Sequence, residues 1–178
     1  VDRHGNKNSS YDLNQGDVII NDTGNIRFDS NTEFAVAFWV NLQSEEINDF
    51  EIVMSKQGNS SGEFSYYFRV EDNYEITFAV DREYHQARSA KSTSKLIKGS
   101  WAHIVGIFSQ NYPSISINGV IEKLGESKYT GGYGLGADEE LYVGSSSFNQ
   151  WKQAAYKYKG LIDDVRIYNR ALSEEEVT

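Results

Sequence analysis

The sequence predicts an all-β domain, a sandwich or barrel, on three observations. Short apolar runs alternate with Gly, Asn, Ser and Asp clusters along the whole chain. Glycine is common (15) and proline nearly absent (1). The aromatic load is high, with 12 Tyr, 9 Phe and 3 Trp, which suits half-buried pleated surfaces and argues against disorder. The 178 residues are the length of one domain. A chain of this size buries roughly 70% of its extended surface, enough for a core without covalent staples. Residues 1–178 are therefore expected to form a single domain.

Strands are expected at residues 18–20, 25–28, 33–42, 51–57, 63–71, 74–81, 84–90, 102–109, 114–118, 120–124, 140–144 and 158–168, each bounded by turn residues. Residues 34–40, Phe-Ala-Val-Ala-Phe-Trp-Val, are apolar on both faces. Such a strand is buried on both sides and sits centrally. Glu71-Asp72-Asn73 is a hairpin turn between two aromatic strands. Asn118-Gly119 is another, because both residues tolerate positive φ. Alternation splits the first hairpin into two faces. Phe64, Tyr66, Phe68 and Val70, with Tyr74, Ile76, Phe78 and Val80, point to the core. Ser65, Tyr67, Arg69 and Glu71, with Glu75, Thr77 and Ala79, point away from it. A short helix is expected at the C-terminus. Asn169 or Ser173 caps it, and Glu174, Glu175 and Glu176 place acids in its first turn.

The net charge of −9 argues against a broad nucleic-acid or anionic-membrane surface. The absence of cysteine excludes a disulfide scaffold, thiolate zinc sites and cysteine nucleophiles. No apolar run approaches the ~18 residues of a membrane span. The chain starts at Val1 with no basic-then-apolar leader, which reads as a domain excised from a longer protein. No Gly-x-Ser-x-Gly elbow, His-Glu-x-x-His pair, phosphate-binding loop or calcium-binding helix–loop motif occurs.

Several segments carry a shared pattern. Phe34 to Asn41 resembles the F-x-x-x-F-W-V strand of laminin G-like domains in the concanavalin A-like lectin/glucanase superfamily. Trp101-Ala102-His103-Ile104-Val105-Gly106-Ile107-Phe108, followed by Ser116-Ile117-Asn118-Gly119-Val120, resembles their W-x-H-I-V-G-x-F strand and I-N-G hairpin. Leu141-Tyr142-Val143-Gly144 is similar to a further strand, and Gly160 to Ser173 to the closing segment G-x-I-D-D-V-R-I-Y-N-R-A-L-S. Asp2 to Asn8 resembles the D-x-S-G-N-x-N loop near the family's start. The resemblance spans nearly the whole chain, in the family's order. It implies a jelly-roll β-sandwich of two antiparallel sheets, one concave, with the strand before the first loop truncated. It also implies a structural calcium ion, bound by Asp163 of the last strand with Asp2, Gly5 and Asn6 of the first loop. Hard cations take six to eight oxygens of this kind. His103 is implied to be a core hydrogen-bonding residue.

Glucanase relatives carry a Glu-Ile-Asp-x-Glu strand whose period-2 spacing puts three carboxylates on one face. Glu46-Ile47-Asn48-Asp49-Phe50-Glu51 is a look-alike with odd spacing between Glu46 and Asp49, so it reads as a polar loop and not a catalytic strand. Glycans instead need aromatic platforms beside amides and arginines. Phe148 and Trp151 in one loop, and Tyr84 and Arg88 in another, have that chemistry. Tyr67 and Arg69 join them if the polar sheet face is the concave one. The expectation is a non-catalytic carbohydrate-binding module, secreted or on a bacterial cell surface, within a multidomain chain and monomeric as a domain. Its partner would be a polysaccharide or glycan, with no nucleic acid and no membrane span. The alternatives are a protein-binding, adhesion or spacer domain, and a divergent glycoside hydrolase.

Overall fold

The doubly apolar run is the middle of a sheet, and the sandwich is assembled on it. The computed structural model describes residues 2–7, 9–29, 32–57, 65–81, 88–124, 139–147 and 153–177. Its strands are β1 (Tyr11–Asp12), β2 (Val18–Ile20), β3 (Phe34–Leu42), β4 (Phe50–Lys56), β5 (Ser65–Glu71), β6 (Glu75–Asp81), β7 (Arg88–Lys95), β8 (Trp101–Ser109), β9 (Tyr112–Ile117), β10 (Val120–Leu124), β11 (Leu141–Val143) and β12 (Gly160–Tyr168). They form two six-stranded sheets. The first runs β1-β12-β3-β8-β9-β10 and the second β2-β11-β4-β5-β6-β7. Every ladder between named strands is antiparallel, as expected for this sandwich.

The two inner faces meet in an aromatic core. Phe34, Val36, Phe38 and Val40 of β3 face Tyr66, Phe68 and Val70 of β5 and Ile76, Phe78 and Val80 of β6, all in one buried cluster. Phe68 stacks on Phe78 with centroids 4.7 Å apart and meets Phe38 edge-on at 4.9 Å. Gly106 of β8 lies beneath that pair. A Cβ there would come 2.4 Å from Phe68 Cζ and 2.8 Å from Phe78 Cγ. Both hairpin expectations hold. Asn118 and Gly119 take φ of 51° and 83° between β9 and β10, and Tyr74 N–H bonds the Glu71 carbonyl at 2.9 Å.

Three local expectations are corrected. Residues 25–28 are a turn-bearing segment, not a strand. Asp22 accepts from Gly24 N–H at 2.7 Å, from Arg27 Nε at 3.2 Å and from the buried Lys56 Nζ at 3.0 Å. That winds the chain so that Phe28 plugs the core against Phe34, centroids 4.5 Å apart. The strand expected to end at residue 90 runs on to Lys95. Its polar continuation is the edge of the second sheet, where lysines replace apolar alternation. The C-terminal helix is a single turn at residues 174–176, closed by a Glu176 N–H to Ser173 carbonyl bond of 3.0 Å. Leu172 and Val177 on either side pack on Ala35, Ala37, Val105 and Ile107, so the segment lies along the outer face of the first sheet instead of propagating. The described helical residues are the 3₁₀ turn Ala154–Tyr156.

Gly106→Ala should destabilise the fold by about 1–3 kcal/mol, because its Cβ overpacks an aromatic pair with no room to move. Urea unfolding measures this; an unchanged midpoint would contradict the packing account.

Candidate functional site

Strand register builds a trough on the outer face of the first sheet. Three cross-strand rows run His103–Trp39–Asp163, Val105–Ala37–Arg166 and Ile107–Ala35–Tyr168. The centres of the last two rows, Ala37 and Ala35, are low because alanine is small, and Trp39 in the first row stands above them. The trough encloses about 220 Å³ and is lined by Trp39, His103, Arg166, Tyr168, Leu172 and Glu176, with Arg3 and Asp164 at its rim and Ala37 and Val105 as floor. A bulge in β12 between Asp163 and Arg166 puts Asp164 at φ 48°, a conformation that costs a non-glycine residue about 1–3 kcal/mol. The bulge lets Asp163 and Arg166 both face outward while Val165 packs on the core.

Internal contacts hold one wall. Arg3 lies 5.0 Å over the Trp39 ring, and Trp39 stacks on His103 at 5.0 Å. Arg3 Nη2 is 2.7 Å from Asp164 Oδ2 and Nη1 is 3.4 Å from Asp163 Oδ2. On the opposite wall Arg170 grips Glu176 through both nitrogens, at 2.8 and 2.7 Å, and the Glu176 carboxyl is pushed down to about 2 mainly by that pairing. Three donors are left over. Arg166 reaches only Asp164, at 3.5 Å, and its side chain is 63% exposed. The His103 ring and the Tyr168 hydroxyl have no hydrogen-bond partner among the described residues. Partial burial holds His103 below its ordinary pKa, and the charges of Arg3 and Arg166 push it the same way against Asp164.

The outer face of the second sheet is polar but already engaged. Ser55, Tyr67, Ala79 and Ser89 share one row, and Arg69, Thr77 and Lys91 the next. Tyr67 is buried. Arg69 Nε donates to Glu71 at 3.0 Å, and its guanidinium sits 4.8 Å over Phe50, which stacks on Tyr156. Thr77 donates to the same Glu71 oxygen. Arg88 pairs with the core residue Val80, so it points to the opposite face from Tyr67 and Arg69, with a buried Nε that has no partner. Trp151, Tyr84 and Phe148 lie outside the described residues.

The first loop and last strand do meet. Asp2 Oδ1 accepts from the N–H groups of His4 (2.9 Å) and Asn6 (2.8 Å), and Oδ2 from Asn6 Nδ2 (2.9 Å), with Gly5 turning the loop at φ 86°. Asp163 Oδ1 accepts from Asp164 N–H, and Oδ2 faces Arg3. As placed, these oxygens accept from N–H donors, and the Arg3 guanidinium bridges the first loop to the last strand. Among the described residues no three acidic or histidine side chains gather as a metal site. Glu51 of the look-alike segment is buried, accepts from Ser44 Oγ and Lys159 N–H, and is pushed up by burial. It clips β4 to the start of β12.

Sequence reading missed the trough. His103 is corrected from the core to an outer face, and Trp39 was read only as central. The available signal was alternation: Ala35, Ala37 and Trp39 share the face opposite Phe34, Val36 and Phe38. The bulge that turns Asp163 and Arg166 to the same side leaves no such signal.

These features sit on a recognisable architecture. The chain belongs to the concanavalin A-like lectin/glucanases superfamily, whose laminin G model matches residues 13–178. A comparison with curated proteins finds no match. Among solved structures it is similar to the binding domain of Paraclostridial Mosquitocidal Protein 1, with TM-score 0.72 and 14% identity, covering 96% of this chain and 44% of that one. It is also similar to the botulinum neurotoxin serotype D ligand binding domain in complex with N-acetylneuraminic acid (TM-score 0.67, 16% identity, 95% of this chain and 39% of that one). A third is the Ruminococcus gnavus IT-sialidase carbohydrate-binding module (CBM40) bound to α2,3-sialyllactose (0.63, 11%, 82% and 80%). The chain thus spans less than half of each toxin domain, and at these identities the likeness is one of fold.

Arg3→Gln should cost about 1–2 kcal/mol, combining a partly buried ion pair with a cation–π contact. Thermal melting with and without EDTA checks this. The ion pair predicts a lower melting temperature for the variant; an EDTA-sensitive melt abolished by Asp163→Ala would add calcium at the same corner.

Proposed function

We propose that this chain is a non-catalytic, lectin-like glycan-binding module, an accessory domain of an exported bacterial surface protein or glycan-active enzyme. The observation that carries the reading is the trough on the first sheet. Its volume of about 220 Å³ is below the roughly 300–1,000 Å³ of ordinary small-molecule pockets, so it suits one sugar residue. Sugars present apolar C–H faces and a rim of hydroxyls. The partly exposed Tyr168 ring offers apolar surface above the Ala37–Val105 floor, and Arg166, His103 and the Tyr168 hydroxyl offer polar atoms unengaged among the described residues. The neurotoxin and sialidase domains of the same fold, each with a sugar in its structure, support the reading. Against hydrolysis stands Glu51, the best-spaced acid of the look-alike segment, which is buried and committed to Ser44 and Lys159.

Trp151, Tyr84 and Phe148, with the outward-facing Tyr67 and Arg69, remain a second proposed glycan-binding set; Arg88, which faces inward, is not part of it. A protein-binding or spacer role is the second reading. Exposed Ile97 and Val120 beside a cavity of about 380 Å³ favour it. Calcium at the Asp2–Asp163 corner is a separate proposal resting on the family resemblance, and it requires Arg3 to release Asp163.

A glycan-array and polysaccharide-gel screen, with and without calcium, tests the reading. Saccharide hits are expected, and they should be lost in Tyr168→Ala if the trough holds the sugar. Hits lost only in Trp151→Ala or Tyr84→Ala would move the site away from the trough to those residues. A blank across neutral and acidic glycans would overturn the glycan reading in favour of the protein-binding one.

A further inference from the structure

The trough's chemistry narrows its ligand, and this step rests on the glycan reading above. Of the four charged side chains that line it, Arg3 and Asp164 are paired with each other and Glu176 is paired with Arg170. Arg166 is the cation with reach left, since its one contact is a 3.5 Å approach to Asp164, at the limit of a hydrogen bond. Its planar fork matches a carboxylate. His103 stands beside the Ala37–Val105 floor with its ring stacked on Trp39 and no ring hydrogen bond among the described residues. Leu172 and Tyr168 close the far side with apolar surface.

We infer that the trough binds the terminal residue of an acidic glycan, with the sugar carboxylate between the Arg166 guanidinium and the His103 ring and the sugar's C–H face on Tyr168 and Leu172. The bulge supports this assignment. It is the element that turns Arg166 to the same outer face as His103, diagonally across β3, and it holds a non-glycine residue at positive φ to do so. The field at His103 supports it as well. Burial, Arg3 and Arg166 disfavour its protonation and Asp164 favours it, and an anion beside the ring would add to the favouring side.

Calorimetry and NMR of the His103 ring test the inference with free N-acetylneuraminic acid and glucuronic acid as probes, against their methyl esters, which keep the ring and lose the charge. The acids should bind and shift the His103 resonances; the esters should not. Arg166→Gln should weaken acid binding about tenfold or more, the size of one charge-assisted hydrogen bond, with the circular dichroism and melting temperature unchanged. Affinity should rise as pH falls below the ordinary histidine value of about 6.5, since the free ring is held under that value and a bound carboxylate favours its proton, and that slope should vanish in His103→Gln. The groups that face His103 and enter this balance are Arg3, Arg166 and Asp164. Equal binding of acid and ester overturns the carboxylate assignment, as does acid binding that survives Arg166→Gln or is lost only in Arg69→Gln on the other sheet; each leaves the glycan reading standing. No binding of any sugar, joined to a blank array, overturns both.

Discussion

The structure depends on one close approach. Phe68 and Phe78 of the second sheet stack over a bare backbone position, Gly106, in the first. The two sheets can come together at this point because no side chain separates them there. Phe38 and Phe34 then pack around the same pair. Aromatic pairs of this geometry add about 0.5–1.5 kcal/mol each beyond the area they bury. They also fix the facing of β3, β5 and β6, because a one-residue slip would invert every side chain.

With the inner faces committed, the outer faces differ in kind. The second sheet's outer face is closed on itself, with Arg69, Glu71 and Thr77 joined, and Ser55, Gln57 and Ser146 joined beside buried Tyr67. The first sheet's outer face is half covered, since residues 171–177 lie over Ala35 and stop short of Trp39. The trough is the gap between that strap and the Arg3 loop. Its floor is set by a small residue, its height by Trp39 and Tyr168, and its polarity by a bulge. Function on this account comes from where the cover ends.

Much of the fold was legible because it follows period 2. The alternation in β5 and β6, the doubly apolar β3 and the Asn118-Gly119 turn all read correctly from side-chain chemistry alone. The misreadings have physical causes. Residues 25–28 look like a strand, but Asp22 captures Gly24, Arg27 and Lys56 and turns them. Residues 173–176 look like a helix start, but Leu172 and Val177 gain more by packing on the sheet. Tyr67 and Arg69 do face away from the core, yet alternation cannot tell that Arg69 is already paired with Glu71 and that Tyr67 is buried. Arg88 belongs to the inward face, a matter of strand register that a single sequence does not carry. The trough needed both register and bulge, so Arg166 and His103 could be seen as residues but not as neighbours.

The central claim is that the first sheet's outer face is the binding face. Proton–nitrogen correlation spectra recorded while the tightest array ligand is added would test it directly. The account predicts shifts concentrated at residues 37–39, 103–105 and 164–168, around the trough. Shifts concentrated instead around Tyr67, Thr77 and Ser89 of the second sheet would contradict it.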